Sequence, residues 1–169
     1  MGSIVLTGFM ATGKSEVGRR LARVLGRTFV DTDRLVEAEA GRSVAQVFAS
    51  AGESAFRALE RAAVERACAM PDAVIATGGG TLMDPESRQR LSAAGPIVCL
   101  TASPDTILRR VGESSSRPLL AGAEDRLERI RTLLQQRKAL YGAATHTVDT
   151  TGLTVEQVVE RVRDLVENG

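Results

Sequence analysis

The chain has 169 residues, 43% of them hydrophobic, which suits one compact domain around one core. Its 22 basic and 21 acidic residues leave a formal charge of +1, too even for a large nucleic-acid footprint or for binding to an anionic membrane surface. Cys68 and Cys99 sit in apolar settings with no CxxC pair and read as small core residues of a reducing compartment. No apolar run reaches membrane length, so a cytoplasmic protein is expected.

The first predicted strand is Ser3–Thr7. GFMATGKS, Gly8 to Ser15, then fits G-x-x-x-x-G-K-[ST] ahead of a helix starting near Lys14, with Val17, Leu21, Val24 and Leu25 on one face. Gly8 and Gly13 let the backbone wrap so that successive N–H groups point into one concavity, and the helix N-terminus adds partial positive charge. Lys14 can reach the β- and γ-phosphates and the Ser15 hydroxyl can ligate Mg²⁺, so the turn is expected to hold a nucleoside triphosphate. The chain carries no guanine-reading N-K-x-D, and the DTTG of Asp149–Gly152 reads as a turn after the last strand. Small-molecule phosphoryl transfer remains.

The second predicted strand, Thr28–Asp31, puts Asp31 and Asp33 at a carboxyl edge, where open α/β sheets bind ligands. On an extended chain these two share a face, one toward a metal and one toward an acceptor hydroxyl, unless Asp33 caps a helix beginning at Arg34. Ser43 and Gln46 have capping-box spacing. GESAFRALE predicts a helix with Ser54 as N-cap and Arg57 in the first turn. A cation there opposes the helix dipole by about 0.3–1 kcal/mol, which Glu53, Glu60 or a bound anion would offset.

A third strand, Ala73–Thr77, runs into Gly78, Gly79 and Gly80, more glycine than a tight turn needs, and so suggests backbone N–H groups meeting a ligand. Asp84-Pro85 and Ser103-Pro104 open helices on either side of a fourth strand, Pro96–Thr101. GESSSRPLLAG, Gly112 to Gly122, reads as a mobile lid or a solvated loop, with Pro118 holding Arg117 extended. In EDRLERIRTLLQQRKALY, at about 100° per residue, Arg137 falls in the middle of the stripe formed by Leu127, Ile130, Leu133, Leu134, Leu140 and Tyr141, where a guanidinium needs an anion. His146–Asp149 is the last strand, followed by a helix capped by Thr154 and Gln157 with five valines on one face, from Val155 to Val166. This alternation predicts an α/β fold with a parallel sheet covered on both faces.

Taken in order, GFMATGKSEVGRRLA, DTD, GRSVAQVF, GESAFRALE, GGG, RPLL and an Arg three residues before LY resemble the shikimate kinases over nearly the whole chain. The resemblance implies a single domain over residues 1–169 with a three-layer P-loop NTPase fold and five parallel strands. A lid at about residues 112–123 and a substrate-binding helical region at about residues 33–61 go with it. It also implies a monomer that uses ATP and Mg²⁺ to phosphorylate the 3-hydroxyl of shikimate. By position, Ala11, Thr12, Gly13, Lys14, Ser15 and Glu16 would hold the phosphates, Ser15 and Asp31 the metal, and Arg110 the adenine. Asp33, Arg57, Gly78, Gly79, Gly80 and Arg137 would bind shikimate, with Lys14, Asp33 and the lid residue Arg117 as catalytic groups and Arg117 also touching ATP. An ordinary Asp, with a pKa near 4, is a weak base for an alcohol, so Asp33 is expected mainly to orient the hydroxyl and take its proton late.

Three positions depart from the family pattern. Ala11 replaces a usual loop glycine, and Glu16 stands where Thr is frequent; neither position needs a side chain for phosphate contact. Leu153 replaces a basic residue that some relatives place near adenine. A gluconate-type kinase and a catalytically silent ATP-binding regulator are the rival readings.

Overall fold

The computed structural model describes residues 2–112, 120 and 125–169. Among these residues five strands, β1 (Ile4–Gly8), β2 (Phe29–Asp31), β3 (Val74–Ala76), β4 (Ile97–Thr101) and β5 (His146–Asp149), form one parallel sheet in the order β2-β3-β1-β4-β5. The helices are α1 (Lys14–Leu25), α2 (Thr32–Ala40), α3 (Val44–Cys68), α4 (Pro85–Ala94), α5 (Pro104–Val111), α6 (Arg126–Tyr141) and α7 (Val155–Asn168).

The three central strands β3, β1 and β4 are largely apolar and buried, and their period-2 alternation feeds two helical layers. Ile4, Leu6, Val98 and Leu100 meet Val17 and Leu21 of α1 and Val158 and Val162 of α7. Val5 and Ile97 face the other way, onto Val64 of α3 and Leu91 of α4, while Cys99 packs with Ile107 of α5 and Ile130 of α6. Val24 shares the stripe of Val17 and Leu21 yet is 54% exposed.

The predicted caps hold. Ser43 with Gln46 and Thr154 with Gln157 form capping boxes, and Pro85 and Pro104 open their helices. Two local expectations do not. The chain turns helical at Thr32, immediately after β2, because the Asp31 carboxylate accepts from the N–H groups of Asp33 and Arg34. Asp31 is therefore the cap, and Asp33 lies in the first helical turn rather than on an extended chain. Nor is Ser54 a cap: α3 consists of two helices that meet at a kink at Gly52 (φ 83°, ψ 176°), so the helix predicted from GESAFRALE is present but begins directly after Gly52, with Ser54 already inside it.

In a parallel sheet every carboxyl end lies on one edge, so the turns after β1, β2 and β3 converge there. Glycine is obligatory at the first of these turns: a Cβ on Gly8 would sit 2.1 Å from the Leu100 carbonyl oxygen, and its φ is 136°. Among the described residues no helix is long and apolar enough to cross a membrane. Most of the predicted lid, Arg117 included, lies outside the described residues.

Candidate active site

The turn after β1 closes on itself. Lys14 Nζ donates to the carbonyls of Gly8 and Phe9, both at 2.8 Å, and Thr12 Oγ1 donates to Phe9 at 2.7 Å. With the loop's carbonyls occupied in this way, the N–H groups of Ala11, Thr12 and Gly13 make no hydrogen bond to another described residue. They form an open donor array at the start of α1, the arrangement that binds phosphate. Gly13 has φ 92° and Ala11 φ 58°. The glycine missing at position 11 therefore matters to the backbone, because an alanine in the left-handed region costs about 1–2 kcal/mol. Glu16 turns its carboxylate to Arg19 at 2.9 Å, leaving only its backbone to face the loop.

Arg110 reaches this turn from α5. Its guanidinium donates to the Ala11 carbonyl at 3.1 Å and to the Thr150 hydroxyl and carbonyl, each at 3.0 Å. It thereby ties the loop after β1 to the loop after β5, where Leu153 stands.

Ser15 Oγ donates to Asp31 Oδ2 at 2.7 Å, while the other carboxylate oxygen of Asp31 caps α2. A hydroxyl and a carboxylate side by side are hard oxygen donors. They suit Mg²⁺, which takes few protein ligands and keeps several waters.

Asp33 is the perturbed carboxylate of the site. Burial, followed by repulsion from Asp31 and Glu60, raises its pKa from 3.8 to about 6, although Lys14 opposes the rise. It is therefore still ionised at neutral pH, and it is a stronger base than an ordinary Asp.

Arg57 pairs with Glu60 at 2.7 Å and with Glu53 at 3.4 Å, so the protein itself supplies part of the compensation its helix position demands. Glu60 is 2% exposed and also accepts from Thr81 Oγ1 at 2.8 Å. Arg137 is 6% exposed and lies 5.4 Å over the Phe9 ring. Among the described residues no carboxylate pairs with Arg137. A buried guanidinium with no protein anion is costly unless a ligand supplies one.

The three glycines owe their identity to space. None has a positive φ. A Cβ on Gly78 would lie 2.9 Å from Glu60 Oε2 and 3.2 Å from Asp33 Oδ1. One on Gly79 would lie 3.0 Å from Arg137 Nη1, and one on Gly80 would lie 2.8 Å from Arg57 Nη2. Each glycine thus lets a charged side chain press onto the backbone.

A single cavity of about 600 Å³ is lined by Ser15 and Asp31 and also by Asp33, Arg57, Gly80 and Arg137. Phe48 and Phe56, with ring centroids 4.6 Å apart, give it an apolar wall. The structure therefore joins the phosphate-loop side to both arginines. From the sequence Glu60 stands only as a possible partner of Arg57, and its position three residues on, on the same helical face, is the available signal. Thr81, Phe48 and Phe56 carried no such signal.

A sequence model described as shikimate kinase matches residues 10–167. The shikimate kinase of Caldanaerobacter subterraneus subsp. tengcongensis is 48% identical over 162 residues, covering 96% of this chain and 94% of that one. The shikimate kinase of Thermus thermophilus is 48% identical over 160 residues, covering 94% of this chain and 86% of its own. Among solved structures, shikimate kinase from Acinetobacter baumannii in complex with shikimate superposes with a TM-score of 0.95 at 31% identity, covering 99% of this chain and 94% of that one. The five-stranded parallel sheet of this chain, with helices on both faces, is thus the P-loop NTPase fold. Likeness of this degree, over almost the full length of both sequence relatives, leads to one conclusion: the chain belongs to the shikimate kinase family.

Proposed function

We infer that this protein transfers the γ-phosphoryl group of ATP to the 3-hydroxyl of shikimate, giving shikimate 3-phosphate and ADP on the route to chorismate. The observation that carries the inference is the shared cavity, in which the Ser15–Asp31 pair opens onto the same space as Asp33, Arg57 and Arg137. A hydroxylated carboxylic acid answers each of these groups, its carboxylate meeting the arginines and its hydroxyls meeting Asp33.

When bound, ATP supplies the phosphoryl group and Mg²⁺ supplies charge neutralisation between the phosphates. The N–H groups of Ala11, Thr12, Gly13, Lys14, Ser15 and Glu16 would cradle the phosphates. The Lys14 ammonium balances their charge, and Ser15 and Asp31 serve the metal. Arg110 braces the loop after β1 against Thr150 and would lie against the adenine. Gly78, Gly79 and Gly80 let the acceptor approach the backbone while Arg57 and Arg137 hold its carboxylate. Asp33 orients the hydroxyl and takes its proton late, as the bond to the leaving group loosens. Arg117 is assigned to the lid, stabilising charge on the migrating group and excluding water. The expected state is a monomer, and two free cysteines suit a reducing cytoplasm.

The test is coupled ADP release with shikimate, gluconate and nucleoside monophosphates as separate acceptors, followed by phosphorus NMR of the product. Shikimate-dependent turnover with the phosphate on the 3-oxygen is expected. A preference for gluconate, or nucleotide binding with no turnover on any acceptor, would reject the assignment.

A further inference from the structure

Three consecutive glycines leave their peptide planes free to rotate, and a binding surface made of such planes has to be fixed from outside. The short 3₁₀ turn Thr81–Met83 fixes two of them. The Gly78 carbonyl accepts from Thr81 N–H at 3.3 Å, and the Gly80 carbonyl accepts from Met83 N–H at 3.0 Å. The middle carbonyl, that of Gly79, is held differently: it accepts at 2.7 Å from the hydroxyl of Tyr141, 62 residues away at the end of α6.

We propose that Tyr141 is a positioning residue for the acceptor, setting the Gly79–Gly80 peptide plane and bracing Arg137 against it. The proposal rests on the acceptor-pocket reading above. In a planar trans peptide the N–H points opposite to the carbonyl. With the Gly79 carbonyl turned to Tyr141, which lies outside the cavity lining, the Gly80 N–H faces away from Tyr141, and Gly80 does line the cavity. That N–H makes no hydrogen bond to another described residue, so it remains available to a ligand. Arg137 lies four residues before Tyr141 on the same helical face, and its Nη1 would be 3.0 Å from a Cβ on Gly79. One side chain of α6 thus holds the Gly79 carbonyl while another lies against the Gly79 α-carbon. Burial raises the phenol's pKa to about 12, so the hydroxyl keeps the proton it donates. Tyr141 itself is 9% exposed, and its ring packs among Phe9, Ile130 and Leu133.

Tyr141→Phe removes the donor and keeps the ring. Steady-state kinetics should show the KM for shikimate rising about five- to tenfold, with kcat within about twofold and the KM for ATP unchanged, as loss of one buried hydrogen bond that serves binding predicts. An unchanged shikimate KM, or an equal rise in the ATP KM with a fall in kcat, would overturn the proposal in favour of a packing role. Arg137→Lys, measured alongside, separates the two levels. If it leaves shikimate KM unaltered, the acceptor-pocket reading fails and this proposal fails with it. If it raises shikimate KM while Tyr141→Phe does not, only the role of Tyr141 is lost.

Discussion

Replacing Asp33 with Asn should stabilise the ligand-free protein while disabling it. In the folded chain the carboxyl of Asp33 is partly buried and crowded by Asp31, Glu60 and Glu37, and its pKa stands at about 6 against an ordinary 3.8. Between those two values the folded state keeps a proton that the unfolded state has released, so stability falls as pH rises through that window. The full rise corresponds to about 3 kcal/mol above pH 6. Asn resembles the protonated carboxyl and avoids the loss. Allowing for relaxation of the neighbouring side chains, we expect the variant to be about 1–3 kcal/mol more stable at pH 8, or about 3–10 °C in Tm for a chain of this size. The difference should close as the pH falls below about 4, where both states of the wild type are protonated. Urea or thermal unfolding of the two ligand-free proteins at pH 8, 6 and 4 measures it, and subtracting the wild-type curve cancels the other titrating groups. Turnover of the variant should fall at least about a hundredfold, as expected for loss of a general base. A variant no more stable at pH 8, or a gain that does not change with pH, would refute the reasoning.

Two other substitutions test the loop and the buried acid. Ala11→Gly should raise the urea midpoint by the equivalent of about 0.5–1 kcal/mol, because relief of the left-handed φ of 58° exceeds the extra freedom a glycine has in the unfolded chain; a lower midpoint would show that Ala11 is not strained. Glu60→Gln removes the one charge that both raises the Asp33 pKa and holds Arg57. The acid limb of kcat/KM for shikimate should move below about 6 and the shikimate KM should rise about tenfold; an acid limb that stays in place would detach Asp33 from that limb.

The parallel sheet, most helix starts and the phosphate-binding turn were legible along the chain, because these depend on local chemistry. Apolar runs, caps such as Ser43 with Gln46, prolines at first helical positions and the spacing of Gly8, Gly13 and Lys14 act over a few residues. Arg137 was legible for the same reason, as a charge out of place on an apolar helical face. The tertiary structure decided how the charges share space. Asp33 has a perturbed pKa because packing buries it, with Asp31 and Glu60 of α3 adding repulsion, and Gly78, Gly79 and Gly80 are small because Glu60, Arg137 and Arg57 lie against them. Tyr141 reaches the Gly79 carbonyl across 62 residues. Contacts of that range depend on how separate elements pack, and no periodicity within either segment encodes them.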